Sequence, residues 1–275
     1  MDPELPKLHQ ESSQGFQMSG RRAALEIGLV AGVVGGVIFG VLWFARYGAE
    51  RFIGAVPPVI DQTIGEQTAR VVTLTSSPCT DPGPEKYVET VAAPLLAAID
   101  DKRFTFSFVV VDDPEVNAFA LPGGFVTVNR GLLDAAETGD EVAAVLAHEL
   151  QHVLRRHGTV RMLRELGASA VLSAIFGGTD IAVPAKATHD FVSNAYDRAQ
   201  ESEADERGLA LMVRAGLDPR GMSRFFERLA KTGINPPALL STHPDPGDRA
   251  EKAARAAAGA KVTMVLPSPK GMKCR

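Results

Sequence analysis

His148-Glu149-Leu150-Gln151-His152 places two imidazoles four residues apart. On a helix of 3.6 residues per turn both leave the same face, so each can offer one ring nitrogen to a common ion. Glu149 projects beside that ion. A carboxylate there can take a proton from water, whose pKa zinc lowers to about 7, and hand it to a leaving amine. Such a site needs a third protein ligand. The metzincin spacing requires glycine at 155 and histidine at 158, whereas the chain has Arg155 and Gly158, so that class is excluded. Further on, Arg198-Ala199-Gln200-Glu201-Ser202-Glu203-Ala204-Asp205 puts Glu201 and Asp205 on one helix face and points Glu203 away. Glu201 then completes a His, His, Glu set with one open position, and Asp205 can accept the outer N–H of a ligating histidine and fix its tautomer. Glu203 reads as a solvated acidic side chain.

Two more residues belong to the expected site. His243 lies in a loop with Pro236, Pro237, Pro244 and Pro246. From there it can swing to the metal, either stabilising an oxyanion or displacing the water as an inhibitory fourth ligand. Arg198 can stabilise the oxyanion or anchor Glu201 through charge-assisted hydrogen bonds. His157 and His189 read as packing or outer contacts of the site.

The elements that must position these groups follow from periodicity. Val142, Val145, Leu146, Leu150 and Val153 mark a helix over 140–157, with a second apolar stretch from Leu166 to Phe176. Upstream, Tyr87, Val91, Leu95 and Ile99 repeat at four-residue spacing, Phe104 to Val111 reads as a strand, and Asn117 to Leu121 and Phe125 to Val128 flank Pro122-Gly123-Gly124 as a hairpin. Downstream, helices are expected over 184–215, 219–231 and 249–258, and a last strand over 261–266. The pattern is that of a helix-rich α/β (α+β) domain with a small sheet.

Ile27 to Phe44 is eighteen residues without a charge, followed by Arg46 and preceded by Arg21 and Arg22. At 1.5 Å per residue it nearly crosses a hydrocarbon core, so the chain is expected to carry one N-terminal transmembrane helix. It is too long for a signal peptide's apolar stretch and lacks a small-x-small cleavage site after it. Gly28, Gly32, Gly36 and Gly40 recur every four residues and form a stripe suited to self-association. The expected order is tail 1–24, anchor 25–45, linker 46–83 with a short helix around Asp61 to Val71, and catalytic domain 84–275. A net charge of −4 without dense basic blocks points away from nucleic acid. Cys79 and Cys274 are too few for a disulfide scaffold but allow one bridge in an oxidising compartment.

Asn117-Ala118-Phe119-Ala120 with Pro122-Gly123-Gly124, the His148–His152 motif, and Glu201-Ser202-Glu203-Ala204-Asp205 together resemble the metallopeptidase family of the HtpX heat-shock proteases, the periplasmic outer-membrane-assembly proteases and the CAAX prenyl endopeptidases. The resemblance covers roughly 84–258, including Thr242-His243-Pro244. It implies a zincin-type fold, one zinc ion held by Glu201 rather than Glu203, and an extended substrate held along Asn117, Phe119, Gly123, Gly124 and Phe125, with the Phe125–Val128 strand pairing with it. Relatives often have serine where this chain has Asp197. A single span points away from the multi-span branches and toward a single-pass bacterial inner-membrane protein with a periplasmic catalytic domain. The implied activity is cleavage of unfolded or misassembled polypeptides in envelope quality control. The rival is a chaperone-like assembly factor that binds unfolded chains, its metal structural or blocked by His243.

Overall fold

The computed structural model describes residues 20–47, 53–167, 183–231, 238–244 and 248–274, with side chains at 24–36, 39 and 40 only in the first of these stretches. The expected apolar run at 166–176 lies outside them from residue 168 onward. The chain divides between Trp43 and Phe44 into two compact units.

In the first unit, α1 (Gly20–Tyr47) is helical through the apolar run and continues four residues beyond the unit's end. Its described side chains are exposed, and a Cβ at Gly28, Gly32, Gly36 or Gly40 would meet nothing within 4 Å. Positions 37, 38 and 41–47 are not described at side-chain level. Among the described residues no helix is long and apolar enough to cross a membrane.

The second unit is built around α5 (Gly139–Leu154), which follows the short α4 (Arg130–Ala135) and is buried along almost its whole length. Its apolar residues at three- and four-residue spacing join Val88, Val91 and Leu95 of α3 (Gly83–Ala97) and Leu209, Leu211 and Met212 of α8 (Arg198–Arg214) in the main core. Pro94 sits inside α3 without ending it. The last long elements are α9 (Arg220–Ala230) and α11 (Arg249–Ala258), with α10 (Ala238–Thr242) between them.

The sheet has three strands, β1 (Ser107–Val111), β2 (Ala118–Leu121) and β3 (Phe125–Asn129), in the order β1-β3-β2. β2 and β3 form the expected antiparallel hairpin, with Phe119 opposite Thr127, and β1 runs parallel to β3. The turn needs its glycines: Gly123 has φ 80° and Gly124 φ 105°, and a Cβ on Gly123 would approach Gln62 Cα at 2.9 Å.

Three expectations change, and the one bridge left open forms. The stretch 46–83 contributes α2 (Pro58–Thr75), whose Ile60, Ile64 and Val72 are buried with Leu121, Met162 and Leu163 in a second core cluster. The run expected as one helix over 184–215 breaks into α7 (Ala185–Ser193) and α8, because Asn194 is extended and Asp197 starts a new helix by accepting the Gln200 N–H at 2.9 Å. Residues 261–266 form no strand; Thr263 donates its N–H to Gly216 O instead. Cys79 and Cys274 are joined as a disulfide, with Cα atoms 4.7 Å apart, which ties the chain end to the segment before α3.

Candidate metal centre

Helical spacing carries His148 and His152 from the same face of α5 until their Nε2 atoms lie 2.9 Å apart. α8 packs across α5 at Gly208, where a Cβ would come 3.2 Å from His148 N. That close approach brings Glu201 to both histidines: Oε2 lies 3.4 Å from His148 Nε2 and Oε1 3.3 Å from His152 Nε2. His243, following α10, places Nδ1 3.1 Å from Glu201 Oε1 and Nε2 3.3 Å from Glu149 Oε1. One donor atom from each of His148, His152, Glu201 and His243 lies within 4.8 Å of the others, and all four residues are buried.

Two imidazole Nε2 atoms at this separation can share at most one proton, so at least one of them presents a lone pair. Glu201 Oε2 is buried and has no hydrogen-bond partner. An unsatisfied buried carboxylate oxygen is costly unless something positive meets it. The donor set of nitrogen and carboxylate oxygen suits zinc. The residues therefore fit the ion the sequence implies.

The outer contacts are equally specific. Asp205 Oδ1 accepts the His148 Nδ1–H at 2.9 Å, while its Oδ2 accepts from Arg249 Nε at 2.8 Å. The outer nitrogen of His152 meets His157 Nδ1 at 3.1 Å, and His157 Nε2 reaches Glu203 at 3.2 Å. Tyr196 stacks on His152 with centroids 4.0 Å apart. Glu149 Oε2 accepts the Ala120 N–H at 2.9 Å, which fixes the carboxylate against β2.

The electrostatics follow from burial and neighbours. Burial pushes the Glu149 carboxyl up from its ordinary value. Burial also works against charge on His148, but the carboxylates of Glu201 and Asp205 outweigh it and push that imidazole up to about 10. For Glu201, burial is outweighed by the His243 and His148 imidazoles, and its carboxyl falls below the usual range.

The structure thus brings together His148, Glu149, His152, Glu201, Asp205 and His243. It does not bring Arg198, which stands exposed at the first position of α8 and makes no hydrogen bond or ion pair with Glu201. Arg249 occupies the place expected of it, with Nη2 3.6 Å from Glu201 Oε2 and the guanidinium 4.0 Å from the Phe226 ring centroid. Nor does β3 offer an edge to a peptide, because both its sides are taken. Among the described residues, the free edge beside Glu149 belongs to β2. Asn129 N donates to Asn117 O, so 117, 119 and 121 pair with β3 while the backbones of Ala118 and Ala120 face outward. Asn117 is buried ahead of β2 and Phe119 partly buried within it, whereas Gly123, Gly124 and Phe125 form the turn and the start of β3.

Sequence reasoning missed Arg249, Tyr196 and the His157–Glu203 link. None has a fixed spacing to the ligands, and Arg249 is one of two arginines in its helix, so no local signal singled it out.

A helix-rich α/β unit with a small mixed sheet and this donor set is a zincin-like metallopeptidase domain. The chain belongs to peptidase family M48, a family of zinc metallopeptidases, which it matches over residues 82–257. It is similar to the beta-barrel assembly-enhancing protease of Yersinia pestis, 32% identical over 187 residues that cover 62% of this chain and 38% of that one. It is also similar to the mitochondrial metalloendopeptidase OMA1 of Schizosaccharomyces pombe, 33% identical over 60% of this chain and 51% of the relative. The metalloprotease LoiP of Escherichia coli strain K12 is 31% identical over 60% of this chain and 68% of its own length. The chain spans about two fifths of the length of the beta-barrel assembly-enhancing proteases it matches.

Proposed function

We propose that the chain is a zinc-dependent endopeptidase in which His148, His152 and Glu201 hold the ion. The single observation that carries this is the convergence of those three residues, buried, around a Glu201 carboxylate oxygen that has no hydrogen-bond partner, with Glu149 beside them. When bound, zinc supplies Lewis acidity, acidifying water and polarising the scissile carbonyl. Glu149 takes the proton of the attacking water and delivers it to the leaving amine, and its raised affinity for protons suits that return step. Asp205 holds His148 in the tautomer that presents Nε2. The outward backbone of Ala118 and the Ala120 carbonyl receive an extended polypeptide as an added strand, which tolerates many sequences, while the Ala120 N–H stays with Glu149.

His243 makes the described arrangement a closed one. It lies against Glu149 and Glu201 and leaves no solvent at either carboxylate. We read this as a resting latch that swings away when substrate enters. The same observation favours the rival reading of a chaperone-like assembly factor with a blocked site.

The run Ile27 to Phe44 supports a single membrane anchor, and the disulfide supports an oxidising compartment for the catalytic unit, as in a periplasm bounded by an inner membrane. Envelope protein quality control, with misassembled polypeptides as substrates, fits the names of the bacterial relatives. Self-association through Gly28, Gly32, Gly36 and Gly40 belongs to the same proposal.

The test uses the full zinc-loaded chain with unfolded casein. Hydrolysis by the parent and loss in Glu149→Gln is expected; binding without turnover in both favours the assembly factor.

A further inference from the structure

We infer that Asp61, in the segment ahead of the family match, is a positioning residue that sets the substrate-binding strand against the metal-bearing helix. The inference rests on the peptidase reading.

Three chain segments meet at Asp61. Its Oδ1 accepts from Arg156 Nε at 3.0 Å and its Oδ2 from Arg156 Nη2 at 2.6 Å, and Thr159 Oγ1 also donates to Oδ1. Arg156 stands between α5 and α6 (His157–Leu166), just ahead of the latter, and Thr159 lies in α6. The carboxylate is therefore fastened to the point where the metal-bearing helix ends. On the other side, the backbone of the same residue abuts the hairpin turn: a Cβ on Gly123 would come 3.0 Å from Asp61 O. One turn later, Gly65 lies so close to Pro122 O that it has no room for a side chain. The turn joins β2 to β3, and β2 carries the outward amide that holds Glu149. Asp61 thus spans from the end of α5 to the strand beside its catalytic glutamate.

The investment in this contact is out of proportion to stability alone. Arg156 and Asp61 are 4% and 1% exposed, so both charges are out of water. A buried pair of this kind is often no more stabilising than apolar side chains of similar volume; where such pairs act, they specify one geometry. Arg156 also adopts φ 60°, a left-handed conformation unusual for a residue with a side chain. From there its guanidinium completes its set, with Nη1 donating to Ile53 O at 2.5 Å and Val56 O at 2.8 Å. Every donor face of the fork is directed at the 53–61 segment. The arrangement fixes position in two directions at once, which a greasy contact would not do.

The consequence for the reaction is specific. Loosening this joint lets the hairpin drift relative to α5, so an extended peptide loses its register against Glu149, while the ligands, carried by α5 and α8, stay in place. The effect therefore falls on substrate engagement rather than on metal binding.

The experiment compares the full zinc-loaded chain with Asp61→Asn, which keeps shape and removes charge, and with Thr159→Val, a milder change that deletes one of the three bonds to Asp61. Amide hydrogen exchange is read separately for 118–125 and 139–154, together with zinc content, and KM and kcat for an extended peptide. In Asp61→Asn, exchange over 118–125 is expected to rise at least about tenfold with 139–154 unchanged and zinc retained. KM is expected to rise about tenfold or more, with kcat affected less. Thr159→Val shows the same pattern at smaller size and decides the matter if Asp61→Asn does not fold. Parent-like exchange and KM in the folded variants, or equal loosening of both segments, overturns the proposal. If the parent hydrolyses no peptide, the peptidase reading fails, and the exchange pattern still decides whether Asp61 sets the strand.

Discussion

Replacing Asp205 with asparagine keeps the side chain's shape and removes its charge. In the parent, this fully buried carboxylate holds the His148 Nδ1–H at 2.9 Å on one oxygen and Arg249 Nε at 2.8 Å on the other. Loss of a carboxylate behind a ligating histidine typically costs 10- to 100-fold in metal affinity, or about 1.4 to 2.8 kcal/mol. The second cost falls on Arg249, which is 2% exposed and whose Nη1 and Nη2 already have no hydrogen-bond partner. Stranding a buried charge costs about 3–5 kcal/mol. Glu201, 3.6 Å from Nη2, offsets part of this, which puts the expected loss at the lower end, about 3 kcal/mol. At roughly 2–4 °C per kcal/mol for a unit of this size, Tm should fall by about 6 to 12 °C. Competition with a chelator of known affinity gives the zinc term, and thermal unfolding gives the stability term. A cycle with Arg249→Met separates them: if the stranded guanidinium is the main cost, the double variant is more stable than Asp205→Asn alone, with a coupling of about 1–3 kcal/mol. Additive losses, or Asp205→Asn with parent-like zinc affinity and Tm, would refute the reasoning.

His243→Ala removes the latch; if about one molecule in ten is open at rest, peptide hydrolysis rises about tenfold, and a rate at or below the parent's in a peptidase assay rejects the latch. Chelation of zinc removes a native-state ligand, so with zinc at about a thousand times Kd the unfolding free energy falls by about 4 kcal/mol, seen as a Tm drop that added zinc reverses. For Glu141, burial opposes its charge, but the Arg228 fork and the Glu137 N–H outweigh burial and lower its pKa. A depressed carboxylate stabilises above its unfolded value and loses this as pH falls through the folded one. Glu141→Gln should therefore cost about 1–3 kcal/mol at neutral pH in denaturant titrations, with the gap to the parent closing in acid; a gap independent of pH would contradict this.

What the sequence made legible depended on whether the signal was local. His148, Glu149 and His152 sit on one helix, so a spacing of four is enough to aim them together. Glu201 and Asp205 share one face of α8, but reading Glu201 as a ligand took the family resemblance as well as that face. Arg249 was not legible, because its meeting with Asp205 depends on how α11 packs on α8, which no spacing records. The error over β3 had a similar origin: periodicity finds two strands and a turn but is silent on which one lies inside the sheet, and the parallel pairing of β1 with β3 decides that. α2 was underestimated because its polar residues include Asp61 and Thr68, which read as solvated yet are buried with partners of their own.

The charge balance of the site ties these residues together. Glu149, Glu201 and Asp205 are three carboxylates, each 0% exposed, and among the described residues Arg249 is the one guanidinium paired with any of them. With neutral imidazoles, two negative charges remain in a volume that excludes water. Such an excess is expensive, and a protein can meet it by taking up protons or a cation. The upward shift of His148 to about 10 is the proton answer, driven against burial by Glu201 and Asp205. It conflicts with ligation, because a protonated ring has no lone pair for a metal. A divalent cation resolves both problems: it balances the two charges and competes with the proton for His148 Nε2. Zinc uptake should then release protons, in a number that falls only as the solution pH approaches the raised His148 value of about 10, and calorimetry in buffers of different ionisation enthalpy would measure it. Uptake without proton release at pH 7 would mean that the carboxylates, not His148, carry the excess charge.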